Sequence, residues 1–413
     1  MDQNALKIAI YHTLGEDYAL CTGCAACAAI CPTDAITMQS DQEGFLQPNV
    51  HSALCIDCDL CKKVCPVTRA EKIVMHETPE QSPRQLPVVW AAWNKDSEMR
   101  RQSSSGGVFT VLAENVLEKG GVVVGAAFDE QLVVRHCLVE TKEDLHRLRG
   151  SKYIQSEISP RLYQEVQRLL NQGRHVLFAG TPCQVAGLRN YTQKSCENMY
   201  CCDIVCMGVP SSLLFHKYID WKNTQSESKI HSCGFRDKSF GWKSPRMTLG
   251  YKNGSFECVH QSAYYLAFLK RIALRFSCYA CQFKGVTRGG DITLADFWGV
   301  AKRYPEYDTD DRGTSLVLVN SSKGQTWLDS CRSRLFCGPA DIDTAIAGNP
   351  MLVRPAERPA ERDTFYYDLD ALAFKALIRK YQLCRPPFYR RAIGKVKRRL
   401  NNAIQKLINL DSR

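Results

Sequence analysis

The stretches CTGCAACAAICP (residues 21–32) and CIDCDLCKKVCP (residues 55–66) are two copies of one pattern. Each sets four cysteines in a C-x2-C-x2-C-x3-C run that ends at proline. The first holds Cys21, Cys24, Cys27, Cys31 and Pro32, the second Cys55, Cys58, Cys61, Cys65 and Pro66. Three closely spaced thiolates in a tight loop can wrap three corners of one [4Fe–4S] cube, and the turn at proline carries the fourth to the other cube. The spacing therefore assigns Cys21, Cys24, Cys27 and Cys65 to one cluster and Cys55, Cys58, Cys61 and Cys31 to a second. The small residues Thr22, Gly23, Ala25 and Ala26 leave backbone N–H groups free to hydrogen-bond the sulfurs. Zinc knuckles are the competing reading, but they pair C-x2-C motifs across a longer gap. Two clusters handle electrons singly, which sets the class of chemistry.

Composition narrows the setting. The chain has 413 residues, room for two or three domains, and its 45% hydrophobic content supports a buried core. No run of uncharged apolar residues is long enough for a spanning helix, and the first twenty residues lack the layout of a signal peptide. Its 21 cysteines then point to metal ligation in a reducing cytoplasm. The net charge of +11 is concentrated at the end, where nine Lys and Arg face one acid from Arg385 onward. The bulk is close to neutral, so no nucleic-acid partner is expected. Residues 389–410 space Ile393, Val396, Leu400, Ile404 and Leu407 at helical period against Arg390, Arg391, Lys395, Lys397, Arg398 and Arg399. Such a basic amphipathic helix suits an acidic protein partner or an anionic membrane surface, which would place the protein at the membrane's inner face. A solvated terminal helix packed on its own domain fits equally well.

The pattern along the chain predicts an α+β fold. A two-cluster ferredoxin-like module spans residues 10–70 with an internal repeat of 34, and a polar linker follows over 71–87. A larger mixed α/β domain runs over 88–345, and a C-terminal extension carries the basic helix over 346–413. Strands are expected at 88–93, 122–128, 174–180 and 200–206, with helices before Lys119, over 160–172 and after Thr181. The stretch from 230 to 320 has more β and loop character.

Several features of the larger domain bear chemistry. Ser103-Ser104-Ser105-Gly106-Gly107 lies between a strand and a helix, where glycine admits a ligand and a helix N-terminus offers N–H donors to phosphate. Ordinary capping explains the same residues. Cys183 follows Thr181-Pro182 in a first helical turn, Cys206 lies just past a strand, and Cys278 and Cys281 form a C-x2-C pair. These four suffice for a third [4Fe–4S] cluster or for tetrahedral zinc, and Cys201 or Cys202 could replace Cys206. His136, His231 and His260 are candidate proton donors, though lone histidines are usually structural.

Taken in order, the ferredoxin repeats, SSSGG (103–107), GSKY (150–153), GTPCQVAGL (180–188), CMGVPS (206–211), FRDKSFGW (235–242), CYAC (278–281) and RGGDITLADFWG (288–299) resemble the coenzyme F420 hydrogenase/dehydrogenase beta subunit family. The resemblance covers residues 15–300. It implies an FAD-containing iron–sulfur oxidoreductase whose larger domain binds the flavin. Cys183, Cys206, Cys278 and Cys281 would hold the third [4Fe–4S] cluster. Ser104, Ser105, Gly106, Gly107, Ser151, Lys152, Tyr153 and Thr181 would contact the cofactor. Asp296 and Trp298 would lie near it, with Lys152 and Asp296 the candidate catalytic residues. Met207 stands where the family often has His, which removes a proton-transfer group there. The implied partners are a ferredoxin-like electron donor or acceptor and a small-molecule substrate beside the flavin. Relatives occur in surface-polysaccharide gene neighbourhoods, which implies a place in polysaccharide biosynthesis. The alternative is an electron-transfer subunit of a larger redox complex with no substrate of its own.

Overall fold

The structure is a computed structural model that describes residues 19–68, 86–193, 197–259 and 262–384. The expected basic helix over 389–410, His260 and linker residues 71–85 lie outside the described residues.

The 34-residue repeat is visible in the backbone. Helix α1 (Ala26–Ile30), the hairpin β1 (Ile36–Ser40) and β2 (Leu46–Val50), and helix α2 (Leu60–Val64) build the first module. Each helix starts after a left-handed residue, Ala25 at φ 65° and Asp59 at φ 58°, and two residues earlier stand left-handed Gly23 (69°) and Asp57 (50°). Left-handed residues alternating with right-handed ones turn successive N–H groups into one concavity, the geometry of many iron–sulfur loops.

The larger domain is organised by one sheet. Strand β3 (Val88–Asn94) leads through α3 (Ser97–Gln102) and α4 (Val108–Glu118) to β4 (Val122–Phe128) and β5 (Val134–Val139). The short α5 (Leu145–Leu148) and α6 (Pro160–Asn171) precede β6 (Val176–Gly180), α7 (Pro182–Thr192) and β7 (Met199–Ile204). After α8 (Ser212–Asn223), strands β8 (Ile230–Asp237), β9 (Arg246–Tyr251) and β10 (Phe256–Val259) form a separate antiparallel sheet, followed by α9 (Ala263–Leu269). The chain then returns to the main sheet as β11 (Ile292–Asp296), β12 (Ser315–Val319) and, past α10 (Ser322–Cys331), β13 (Leu335–Ala340). The eight strands run β13-β3-β12-β11-β7-β6-β4-β5. The middle four, β11, β7, β6 and β4, are parallel, and the outer pairs are antiparallel. Parallel strands are covered on both faces, which explains the uninterrupted apolar runs VVV at 122–124 and VLF at 176–178. Among the described residues no helix is long and apolar enough to cross a membrane.

The cysteine-rich module is embedded in this body. Ala25, Ala26, Ala29 and Val64 share a core with Tyr163, Val185 and Leu188 of α6 and α7. Tyr163 Oη donates to the carbonyl of Cys24 at 2.6 Å. Phe45, in the β1–β2 turn, is fully buried in another core with Leu214, Phe215, Tyr264 and Phe365. Phe365 belongs to α12 (Arg362–Ala371), which follows α11 (Ile342–Gly348) and precedes α13 (Phe374–Lys380). The stretch from 346 to 384 is therefore no loose extension: Phe365, Leu369 and Leu377 complete the core that receives Phe45.

This burial makes a quantitative expectation. Phe45→Ala removes a large side chain from a closed core and should cost roughly 3–5 kcal/mol of unfolding free energy. Denaturant unfolding should show one transition moved to lower midpoint. Two separate transitions, with only the weaker one moved, would mean that the module folds as an independent bead.

Candidate functional site

The cysteines gather around three hollows. Cys21, Cys24, Cys27 and Cys65 line one, and Cys31, Cys55, Cys58 and Cys61 line another. Each hollow thus draws three cysteines from one sequence copy and the fourth from the other. A third hollow is bordered by Cys183, Cys206, Cys278 and Cys281. Cys201 and Cys202 do not reach it: Cys201 packs among Val185, Leu188 and Met199, and Cys202 faces the core around Ile292.

No disulfide joins the described cysteines. Among the described residues no three His, Cys, Asp or Glu side chains converge tightly enough for a single metal ion. Zinc needs its sulfurs about 2.3 Å from one point, whereas a cubane spreads its thiolates around a wider cage. Each of the three hollows brings together four thiols, the number of protein ligands that one [4Fe–4S] cube takes. Burial holds the Cys24 and Cys278 thiols well above their usual range and pushes Cys183 up to about 12. Such thiols ionise when a bound metal supplies positive charge.

The surroundings of the three hollows differ. The one at Cys21 is walled by Thr22, Ala25, Met38, Pro48, Pro66 and Val67, without a charged side chain. Gly187 of α7 comes so close that a Cβ there would meet Cys24 Sγ at 3.0 Å. The hollow at Cys58 lies at the surface beside Asp57, Asp59 and Lys62, with Leu54 and Ile56 exposed around it. The hollow at Cys278 is bordered by Arg275, Lys284 and Arg288.

Next to the Cys278 hollow opens a cavity of about 870 Å³, within the size range of ligand pockets. It sits at the C-terminal ends of the parallel strands, touching Ala179 and Gly180 of β6, Ile204 of β7, and Leu294 to Asp296 of β11. Ligands of open α/β sheets bind at these strand ends. The two spaces share a wall of Thr181, Cys183, Cys206, Met207, Gly208 and Val209. Thr22 borders this cavity and also the Cys21 and Cys278 hollows.

The sequence candidates fall here with one exception. Ser104, Ser105, Gly107, Ser151, Lys152, Tyr153, Thr181, Asp296 and Trp298 all line the large cavity. The SSSGG and GSKY motifs are tied together, since Ser104 Oγ accepts from the Ser151 N–H at 2.8 Å. Gly107 is left-handed at φ 83° and opens α4 without a side-chain cap, so the helix start at Val108 to Thr110 borders the cavity uncapped. Gly106 does not line it. A Cβ there would lie 2.4 Å from the Ala92 carbonyl, and its N–H donates to Ser315 Oγ. Gly106 serves close packing of the loop on β3 and β12.

The polar groups divide into satisfied and unsatisfied ones. Lys152 Nζ donates to the carbonyls of Arg147 and Arg149 at 3.0 and 2.8 Å, and burial pulls its pKa down to about 7. Asp296 is not a free acid or base. Its Oδ1 accepts from Arg236 at 3.0 Å and from Trp242 Nε1. Trp242 stacks on Trp298 with centroids 4.7 Å apart and planes at 2°, and the Arg236 guanidinium lies over the same Trp298 ring. His136 also lines the cavity, but Ser156 Oγ and the Ala179 carbonyl engage its two nitrogens. Burial pulls its pKa down to about 4, so it stands neutral. His231 points away on the exposed side of β8. Five buried atoms on the cavity wall lack any partner: Thr22 Oγ1, Thr110 Oγ1, Arg149 Nε, Gln155 Nε2 and Arg236 Nε. Sequence reading gave no role to Arg149, Gln155 or Arg236; only the adjacency of Arg149 to GSKY and the place of Arg236 in FRDKSFGW marked them.

Comparison with known proteins identifies the parts of the chain by family. A 4Fe-4S dicluster domain model matches residues 20–68. The models for the coenzyme F420 hydrogenase/dehydrogenase beta subunit match residues 89–162 with its N-terminal part and 173–343 with its C-terminal part. No curated protein matches. Among solved structures, a chain of the F420-reducing [NiFe] hydrogenase complex from Methanosarcina barkeri is similar at 16% identity and TM-score 0.44, over 69% of this chain and 99% of that one. With its dicluster domain set ahead of these two matched parts, the chain is an iron–sulfur redox protein that belongs to the coenzyme F420 hydrogenase/dehydrogenase beta subunit family.

Proposed function

We propose that the chain is an iron–sulfur flavoprotein oxidoreductase that passes electrons between a ferredoxin-like partner and an organic molecule. The observation that carries this reading is the shared wall between the Cys183–Cys206–Cys278–Cys281 hollow and the 870 Å³ cavity. A relay subunit with no substrate of its own would fill the same cavity with its flavin alone, and the enzyme reading adds an organic molecule beside that flavin. Cys183, Cys206, Cys278 and Cys281 would hold a third [4Fe–4S] cluster. The large cavity would hold FAD, whose chemistry joins one-electron and two-electron transfer.

The residues around the cavity suit that cofactor. The uncapped start of α4 and the Ser104–Ser151 pair offer donors to phosphate oxygens. Lys152 supplies positive charge beside them. Asp296 acts as a positioning residue that holds Arg236 over Trp298. The stacked Trp242–Trp298 pair gives that end of the cavity a rigid apolar wall. Met207 in the shared wall, and Leu294 and Phe268 in the cavity, present apolar side chains that offer no proton.

Two measurements test the reading. Anaerobically purified protein should contain about twelve iron and about one FAD per chain, and Cys278→Ser should lose about four iron while retaining the rest. Iron unchanged in that variant, or about eight in the native chain, would remove the third cluster.

The second concerns Lys152. Because burial places its pKa near 7, its positive charge is present below that pH and fades above it. Flavin affinity should therefore weaken on going from about pH 6 to about pH 8, and Lys152→Gln should flatten that dependence at the weaker level. An unchanged pH profile in the variant would exclude Lys152 from flavin binding.

A further inference from the structure

The three cysteine hollows differ in the charge of their walls. Residues bordering the Cys58 hollow carry Asp57 and Asp59 against Lys62. The Cys21 hollow has no charged wall residue. The Cys278 hollow has Arg275, Lys284 and Arg288, and no carboxylate lines it.

The compensation of each cation matters. Arg288 pairs with Asp203 at 3.3 Å behind it, so much of its charge is cancelled. Lys284 Nζ donates only to the carbonyls of Cys206 and Met351. Arg275 is buried and donates to the Cys21 carbonyl at 2.7 Å, the Leu46 carbonyl at 3.0 Å and Gln47 Oε1 at 2.7 Å. Neither Lys284 nor Arg275 has a carboxylate partner among the described residues. Arg275 lies between the Cys278 and Cys21 sites, whereas Lys284 borders only the former.

A reduced four-thiolate cluster carries one more negative charge than an oxidised one. Net charge, hydrogen bonds and solvent exposure set its potential. The charge of the wall is therefore what separates the inner two sites.

We propose that Lys284 makes the Cys183–Cys206–Cys278–Cys281 site the electron sink of the chain, with a potential above that of the Cys21 site. This rests on the reading of those four cysteines as cluster ligands. The transfer moves one electron, oxidising the Cys21 site and reducing the Cys278 site, with no bond or proton exchanged. Its consequence is where an electron rests. One that enters at the exposed Cys58 face settles at the Cys278 site, beside the large cavity.

The test is a redox titration followed by electron paramagnetic resonance on the anaerobically purified full chain, with iron counted on the same sample. The signal missing from Cys278→Ser should be the first to appear on reduction. It should be favoured at least tenfold over the next cluster, about 59 mV for one electron. Lys284→Gln keeps a hydrogen-bond donor and removes the charge. It should shift that signal alone toward the oxidised form by about tenfold. A third signal that appears last, or one that Lys284→Gln leaves in place, would overturn the proposal. If Lys284→Gln does not fold, the native order decides alone. About twelve iron with the reverse order would sink the sink assignment only. About eight iron with no signal lost in Cys278→Ser would bring down the ligand reading and this inference together.

Discussion

The arrangement turns on one buried guanidinium. Arg275 is nearly sealed from water and ends its side chain on three neutral oxygens of the cysteine-rich module. Burying a charge without hydrogen bonds is costly, and a fork of donors meeting fixed acceptors offsets that cost. The contact joins residues more than 220 positions apart. It fixes the Cys21 loop against the turn that carries Cys278. It adds a polar tie to the apolar packing that seats the module on the sheet domain, next to the point where the spaces adjoin at Thr22.

Around this anchor the packing is arranged for close approach. Ala25, Ala26 and Ala29 present a flat surface of small side chains to α6 and α7. Gly187 allows the helix to come within van der Waals contact of Cys24. Phe45 locks the same module into the core that the C-terminal helices complete. Distance between redox centres is the quantity that such packing controls, and every substitution of a small residue along that surface would increase it.

Much of the fold was legible in the sequence because its signals are local. The cysteine runs repeat at a fixed interval, and the apolar runs VVV and VLF have the composition of covered parallel strands. Cys183 and Cys206 stood out by lying just past expected strands, and Cys278 and Cys281 by their C-x2-C spacing. What stayed hidden depends on long-range contact. Gly106 shares its motif with Gly107, yet only Gly107 reaches the cavity, and the difference lies in the approach of Ala92 and Ser315. Asp296 reads as a free carboxylate until Arg236 and Trp242 are seen on it. His136 reads as a proton donor until burial and two partners make it neutral. Arg275 carried no local mark at all. The segment after residue 346 was read as an appendage because its apolar residues find their neighbours in α8 and α9 rather than nearby in sequence.

The crossed pairing of the two sequence copies has a consequence for how the protein is made. Each hollow of the small module borrows its fourth cysteine from the other copy. The halves resemble two partners who each hold one end of the other's rope. Neither can mature alone, because a half-chain would leave one corner of its cage open to solvent. The outer hollow is complete only once Cys61 is made and the inner one only once Cys65 is made, and damage at either copy opens both.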